Sequence, residues 1–559
     1  MVRSIRRMRK QFSLFESREL PSRQGEFIAA SPAELYSPVV HTAQQQGSGM
    51  FRFDLGRVAI ERQHAWRWLL AFVMTLATSA CSEAADRPNL VFVMADDLGY
   101  AQTGYYDHPL LDTPHLDRLA AGGLRLDRFY AGSAVCSPTR ASVLTGRHPA
   151  RCGVPSHGHA LRRQESTMME SLQAAGYATG HFGKWHLDGL RGPGAPIFED
   201  DRFHPGHFGF DTWLSVTNFF DRNPLMSRLG RFESFQGDSS EVTVDQALQF
   251  MGQQSESGTP FATVIWFGTP HSPFVAAEGD VASLASGSEA RRQILDSMDQ
   301  QSRQHYGELV AMDRSLGALR AGLEKLSVLE NTLIWFCSDN GGLPKIKPST
   351  TAPLRGNKGT LYEGGVRVPC VLHWPSTIAA GRVSAFPAVT SDIAPTVLDL
   401  LSLESQLVQP VDGISLASLI VGNEVPETRS SPIGFQHLGS SSVIDGDWKL
   451  LRPKTNKRSE TAETAALYDL RNDLAETTNV IDRHPNVARR LGQWLDAWNE
   501  SVARSVAGQD YPSKSVDPDH PEPMFWTDSP RYQAIFDQLR DRPEYANWIK
   551  KKEKSDAVR

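Results

Sequence analysis

Apolar residues along the chain fall into short unbroken runs separated by stretches with three- and four-residue spacing. In NLVFVMADD the run Leu90 to Met94 lies between Pro88 and Asp96, the pattern of a parallel strand buried on both faces. YATGHFG, TPFATVIWFG and NTLIWFCSDNGG predict further strands. Between them, TPHLDRLAAGG places Leu116 and Leu119 on one helical face before Gly122 and Gly123. STMMESLQAAGY does the same with Met168, Met169 and Leu172 before Gly176. A longer helix carrying Met312, Leu316, Leu319, Leu323 and Leu326 precedes the last of these strands. Such alternation over roughly 300 residues predicts an α/β fold, with a large, mostly parallel central sheet flanked by helices and a crevice at its carboxyl edge.

The pattern changes after TSDIAPTVLDLLSL. Residues 87–401 are assigned to the α/β body and 402–508 to a smaller C-terminal α+β domain. The smaller domain has candidate strands SPIGFQH, SSVIDG and WKLLRP, the polar stretch KTNKRSETAETA and an amphipathic helix around VARRLGQWLDAW. Residues 509–559, rich in Pro, Asp and Lys with one helix at YQAIFDQLRD, read as a polar solvated tail. Residues 1–86 form a poorly patterned extension that contains an export signal. Arg57, Arg62 and Arg67 precede WLLAFVMTLATSA, residues 68–80. That run has the size of a secretory apolar core and falls short of a span of about 20 residues. It implies an exported protein, periplasmic or at the cell surface, with a buried helix or single anchor as the alternative. The signal lies deep in the chain, which points to Met50 as the true start. Cys81 after Ala80 admits lipoprotein processing and a lipid anchor, although Thr78 stands where such signals usually have Leu.

Composition narrows the function classes. A chain of 559 residues, 40% apolar, has the bulk for a large core and is neither a small stapled module nor disordered throughout. With 58 Lys and Arg against 64 Asp and Glu, the net charge of -6 provides no overall basic field for nucleic acid, so an anionic substrate needs a local site. Five scattered cysteines exclude a disulfide framework and a four-thiolate zinc knuckle. One pair has the means to bridge, and the sequence does not select it.

Polar clusters stand where the predicted strands end. Asp96 and Asp97 are adjacent carboxylates that cannot both be buried and ionised without a cation or paired donors. Asp339 and Asn340 precede two glycines that let the backbone turn tightly. Together the four offer hard oxygen ligands, suited to Ca²⁺ or, less well, Mg²⁺ rather than Zn²⁺. Taken singly, each pair is also an ordinary turn or helix cap. Cys136 precedes a helix opened by SPTRAS, where free N–H groups, the dipole and Arg140 favour an anion. An isolated cysteine there would more often be a buried core residue.

VCSPTRASVLTGR, with Cys136, Pro138 and Arg140, resembles the signature of the type I, formylglycine-dependent sulfatases of the alkaline phosphatase-like superfamily, and the whole is arylsulfatase-like. MADDLGY, TGHFGKWHL, GTPHSPF, SDNGG and LRGNKGTLYEGGVRVP follow in the family's order, and ALYDLRNDLAETTNV closes the similarity, which spans roughly residues 87 to 470. The resemblance implies that a maturation enzyme converts Cys136 to Cα-formylglycine, an aldehyde whose hydrate is the nucleophile. It implies that Asp96, Asp97, Asp339 and Asn340 hold Ca²⁺ together with residue 136, that Arg140 steadies the hydrate, and that Lys184, His186, His271 and Lys358 surround the sulfate. A lone Lys or His is more often a solvated or structural residue, a reading that four family positions together weaken.

Sulfate esters shield sulfur with anionic oxygens, so hydrolysis needs positive charge, a strong oxygen nucleophile and an acid for the leaving alcohol. The resemblance implies attack by one hydrate hydroxyl, with His271 and Lys358 protonating the alcohol. His186 then takes the proton of the second hydroxyl as the aldehyde re-forms and sulfate leaves. The expected substrate is a sulfated carbohydrate, with small aryl sulfates turned over incidentally. The competing readings are a phosphate or phosphonate ester hydrolase and a catalytically silent glycan-binding protein. The loop-rich stretch 190–235 carries Phe198, Phe203, Phe208, Phe210 and Trp213, which either line a sugar or aryl subsite or, more often for any one of them, pack the loop.

Overall fold

The computed structural model describes residues 87–218, 222–422, 427–454 and 464–558. The apolar run after Pro88 is strand β1 (Asn89–Ala95). Leu90, Phe92 and Met94 enter one core and Val91, Val93 and Ala95 a second, so the strand is apolar throughout because it is covered on both faces. Nine more strands join it in one sheet: β2 (Leu124–Leu126), β3 (Ala178–Lys184), β4 (Thr212–Val216), β5 (Leu225–Arg228), β6 (Arg231–Ser234), β7 (Phe261–Trp266), β8 (Thr332–Ser338), β9 (Cys370–His373) and β10 (Arg382–Ser384). Their spatial order is β10-β2-β9-β8-β1-β7-β3-β4-β5-β6. The central five, β8-β1-β7-β3-β4, are all parallel. β9 on one side and β5 on the other run against the central five and make the whole sheet mixed; β6 pairs antiparallel with β5, β2 antiparallel with β9, and β10 runs parallel to β2.

Helices cover both faces. On one side α1 (Pro114–Ala121) buries Leu116 and Leu119, and on the other α2 (Cys136–Thr145) and α3 (Met168–Ala174) pack into the core of Leu90 and Phe92. Thr167 and Glu170 close a capping box on α3. Next come α4 (Ser239–Ser257) and α5 (Gln300–Lys325), the latter burying Met312, Leu316, Leu319 and Leu323 as its spacing predicts. Leu407, Leu416, Leu419 and Ile420 pack with Ile393 and Val397 in the main core, so the α/β body continues past Ser402, where the sequence places its limit.

Strands β11 (Ile433–His437), β12 (Ser440–Asp445), β13 (Trp448–Arg452) and β14 (Ala466–Asp469) form an antiparallel sheet. Val443, Leu450 and Leu467 face Leu491, Leu495 and Trp498 of α6 (Pro485–Val506), while Phe435, Ile444 and Tyr468 face Tyr130 and Val366 of the body. Cys136, Cys152, Cys337 and Cys370 are free buried thiols. The apolar run 68–80 and Cys81 lie outside the described residues. Among those described, no helix is long and apolar enough to cross a membrane.

The segment from Gln509 departs from the solvated tail expected of it. Met524–Phe525 pairs with Leu190–Arg191, and Trp526, Tyr532, Phe536, Leu539, Tyr545 and Ile549 share a core with Leu190 and Ala195; Tyr545 and Ile549 come from the last helix, α7 (Pro543–Val558). Aromatic residues at irregular spacing supply this burial, which a count of Pro, Asp and Lys conceals. Phe203, Phe208, Phe210 and Trp213 of the 190–235 stretch are likewise packing residues of the main core. Trp526→Ala should weaken the docking of this segment by about 3–5 kcal/mol. Deuterium exchange should then quicken in residues 190–198 and 524–549 while β1 and β8 stay protected, and unchanged exchange there would contradict the docking.

Candidate active site

Four central strands deliver polar groups to the same edge. β1 runs into Asp96 and Asp97, β8 into Asp339 and Asn340, and β3 ends at Lys184 with His186 beyond, while the loop after β7 carries His271. This is the carboxyl edge, where open parallel sheets place their ligands. Cys136 is the first residue of the fully buried helix α2, and Arg140 follows one turn later. Lys358 arrives on a loop tied to both sides: its backbone N–H donates to Gly342 at 3.0 Å, and that of Gly359 donates to Ala134 at 2.9 Å.

Arg140 is fully buried and joins the parts. Its Nη2 and Nε donate to Asp339 Oδ2 at 2.7 and 3.1 Å, and Nη1 donates to the carbonyl of Lys184 at 3.0 Å. Asp96 Oδ2 lies 3.9 Å from Nη2, and the guanidinium sits 5.2 Å over the Trp266 ring. Lys184 Nζ bonds Asp96, and Lys358 Nζ lies 2.6 Å from Asp97 Oδ1. Asn340 Nδ2 donates to Asp97 Oδ1 at 2.7 Å, and the Asp97 N–H donates to Asp339 Oδ1 at 3.2 Å. His271 Nε2 is 3.8 Å from Asp97 Oδ2, with its Nδ1 donating to the Ser272 carbonyl at 2.6 Å.

Backbone strain and close approach hold this geometry. Asp97 and His186 have φ of 70° and 57°, a left-handed conformation uncommon outside glycine, and the His186 N–H is fixed by the Thr217 carbonyl at 2.8 Å. Gly341 does not turn the chain through a positive φ. It is required because a Cβ there would stand 1.9 Å from the Gly364 carbonyl oxygen, so the strand-end loop lies directly against the backbone of the loop that follows Lys358.

The donor set fits a hard divalent cation. Asp96 Oδ1 and Asn340 Oδ1 are buried without a hydrogen-bond partner, an arrangement that is costly unless a cation completes it. Ligand atoms of Asp96, Cys136 and Asp339 lie within 4.8 Å of one another, as do those of Asp96, Asp97 and His271. Burial and the neighbouring Asp96 push the Asp339 carboxyl up, whereas Asp96, despite its own burial, is held below the usual carboxylate range by Lys184.

The remaining groups are tuned by the same low-dielectric environment. Burial pushes the Cys136 thiol up, which leaves the unmodified side chain protonated near neutral pH and a poor nucleophile. His186 is buried with both ring nitrogens unpartnered, and burial, with Lys184 and Arg140 beside it, holds it well below the usual histidine range. His271 is depressed to about 4 by burial and Lys358. Burial opposes the charged form of Lys358, but Asp97, Cys136 and Asp96 together outweigh it, so its ammonium is retained above the usual lysine range.

The structure therefore unites Asp96, Asp97, Cys136, Arg140, Lys184, His186, His271, Lys358, Asp339 and Asn340. It also adds a residue that the sequence patterns do not mark. His157 is depressed by burial and by the charges of Arg191, Lys358 and Lys184, and next to it the Gly158 N–H donates to Ser137 Oγ at 2.9 Å beside Cys136. PSHGHA has no spacing that separates His157 from a loop histidine.

A sequence model of the sulfatase family matches residues 88–403. The chain belongs to the sulfatase family. It is 32% identical to arylsulfatase A of Bos taurus over 75% of this chain and 88% of that protein. With N-acetylgalactosamine-6-sulfatase of Sus scrofa it shares 29% identity over 65% of this chain and 72% of that one. Among solved structures, Ps i-CgsB in complex with k-i-k-neocarrahexaose has a TM-score of 0.65 at 23% identity, covering 83% of this chain and all of the other. The mixed sheet with its small antiparallel domain is thus the alkaline phosphatase-like fold of the sulfatases, and the protein is a sulfuric ester hydrolase. Arg140→Leu should destabilise the metal-free sulfatase by about 3–5 kcal/mol, because it strands Asp339 among buried anions. Urea unfolding in chelator measures this, and an unaltered midpoint would show that Arg140 does not carry the carboxylates.

Proposed function

We propose that this sulfatase hydrolyses sulfate monoesters of carbohydrates, with Cys136 matured to formylglycine by a separate enzyme and Ca²⁺ bound beside it. The observation that carries the reading is the meeting of Cys136 with three carboxylates, Asn340, two ammonium groups and two neutral histidines at one sheet edge. Asp96, Asp97, Asp339 and Asn340 would hold the cation, and two of their oxygens stand buried and unpaired. Such an ion supplies positive charge to the oxygens of a sulfate and to the nucleophilic oxygen of the matured side chain.

The chain's own residues then divide the work. Lys184 and Lys358, each already paired to a carboxylate, present ammonium protons to the sulfate oxygens and offset the charge that repels a nucleophile. Arg140 acts by positioning, since its donors are committed to Asp339 and the Lys184 carbonyl. His271 has its Nδ1–H fixed by Ser272, which leaves Nε2 of the neutral ring as a proton acceptor beside Asp97, so the proton for the leaving alcohol comes from the Lys358 ammonium held at the same carboxylate, with His271 placed to relay it. His186, neutral and with free ring nitrogens, is suited to take a proton at residue 136 as sulfate departs.

A carbohydrate substrate is supported by the names of its relatives, one called N-acetylgalactosamine-6-sulfatase and one solved with k-i-k-neocarrahexaose. Export to the periplasm or cell surface, with Cys81 as a lipid-anchor position, is part of the same proposal and rests on the apolar run 68–80.

Maturation should lower the mass of the peptide spanning Cys136 by about 18 Da, the change from thiol to aldehyde, as read by mass spectrometry of protein made with the maturation enzyme. An unchanged thiol in active protein would end the formylglycine reading. Asp339→Asn should reduce kcat/KM on a sulfate ester by about a hundredfold or more and abolish the thermal shift that Ca²⁺ gives the wild type. Equal turnover of matched sulfate and phosphate esters would instead favour a phosphohydrolase.

A further inference from the structure

Part of the molecule beside the active site lies outside the residues shared with the family model. The segment from Met524 is bolted onto the 190–235 stretch: Tyr532 Oη donates to the Pro196 carbonyl at 2.9 Å, Tyr545 Oη donates to that of Gly194 at 2.6 Å, and the Arg542 guanidinium donates to that of Asn223. Where α7 meets this stretch and the loop after His271, they enclose a cavity of 680 Å³. Its lining includes Pro193, Arg222, Ser272, Pro273, Val275 and Trp548.

The cavity adjoins the catalytic histidines by two routes. Ser272 and Pro273 directly follow His271, and Ser272 holds its imidazole. On the other side the His186 N–H bonds Thr217, the next residue Asn218 donates from Nδ2 to Gly192 at 2.6 Å, and Pro193 follows Gly192 in the wall. A ligand held here therefore lies against the residues that directly follow His271 and is linked to His186 through Thr217, Asn218 and Gly192. The volume falls within the range of small-ligand sites.

Its chemistry is that of a sugar site. Trp548 is half-buried with its ring 5.7 Å from that of Phe525, while Phe525 is 41% and Val275 46% exposed, so apolar surface remains open at the rim. An indole face accepts the C–H face of a pyranose, and a guanidinium pairs sulfate or carboxylate oxygens. We propose that this cavity is a subsite for a neighbouring unit of an anionic, sulfated oligosaccharide, with Trp548 as the stacking platform and Arg222 as the partner of an anionic substituent. The proposal rests on the sulfatase reading and adds to it that the C-terminal segment selects oligomeric substrates.

Two measurements separate the subsite from the reading beneath it. Calorimetric titration of sulfated and desulfated carrageenan and glycosaminoglycan oligosaccharides into unmatured protein tests binding without turnover. Kinetics of the matured enzyme then compare 4-nitrophenyl sulfate with each oligosaccharide. Trp548→Ala and, independently, Arg222→Ala on its exposed loop should each weaken oligosaccharide binding about tenfold, equivalent to about 1.4 kcal/mol. Each should lower the ratio of kcat/KM for oligosaccharide over aryl sulfate by a similar factor, mainly through KM, and Trp548→Phe should restore part of the loss. Binding and ratio unchanged in both variants, or no oligosaccharide binding to the wild type, would overturn the subsite while aryl sulfate turnover leaves the sulfatase reading standing. Absence of turnover of every sulfate ester by matured protein would overturn that reading, and the subsite as a substrate site with it.

Discussion

Three carboxylates converge at the buried edge of one sheet, and their mutual repulsion is the constraint around which the rest is arranged. Asp96, Asp97 and Asp339 are fully buried. Charges so placed persist only when each is compensated nearby, since desolvation alone would protonate them. Arg140 answers Asp339, Lys184 answers Asp96, and Lys358 answers Asp97, each from a different element. The ion pairs thereby fasten α2, β3 and the loop of residue 358 to the ends of β1 and β8. What remains uncompensated, a carboxylate oxygen of Asp96 and the amide oxygen of Asn340, points to an additional cation. The groups that stabilise the edge are the same groups that can cradle an anion once that cation shares the load.

Much of this was legible because parallel strands write themselves plainly. An unbroken apolar run ending in Asp-Asp, and another ending in Asp-Asn-Gly-Gly, announce buried strands whose carboxyl ends carry polar groups, and β1 and β8 lie beside one another in register. Adjacent placement of those ends was not itself readable, because strand order depends on crossovers that no local pattern encodes. The resemblance supplied that link by placing Cys136 with the acids. It did not reveal that Arg140 spends its donors on Asp339 and a backbone carbonyl, a geometry visible only once both sides of the sheet edge are assembled. Nor could spacing mark His157, which approaches the cations through the fold of its loop.

The misread tail shows where composition fails. Polar and charged residues dominate it by number, yet burial is decided by a few large side chains. Trp526, Tyr532 and Tyr545 are almost wholly enclosed, and two of these tyrosines satisfy their hydroxyls on backbone carbonyls of the 190–235 stretch. Aromatic residues remove so much surface from water that a handful can dock a segment whose average hydropathy suggests solvent. The limit at Ser402 failed for a related reason. A short piece such as Leu407 to Ile420, irregular until the helix Ala417–Val421, is too brief to show a period, but it fills space beside the helix Ile393–Leu400.

These two kinds of structure suit two kinds of task. A sulfate group is alike in every sulfate ester, so the parts that meet it gain from being immovable, and here they stand on strand ends packed so closely that Gly341 admits no Cβ. The alcohol that carries the sulfate differs from substrate to substrate, and its recognition cannot come from the charge cluster. In the proposed subsite it comes from the cavity walls built by the loop after β7, the 190–235 stretch and α7. Those elements are joined to the body through aromatic packing and side-chain bonds to backbone carbonyls, contacts that tolerate change in what lies exposed above them. Separating a rigid edge from docked and variable walls lets one chemistry be kept while the preferred alcohol is altered, without disturbing the balance of buried charge that the edge requires.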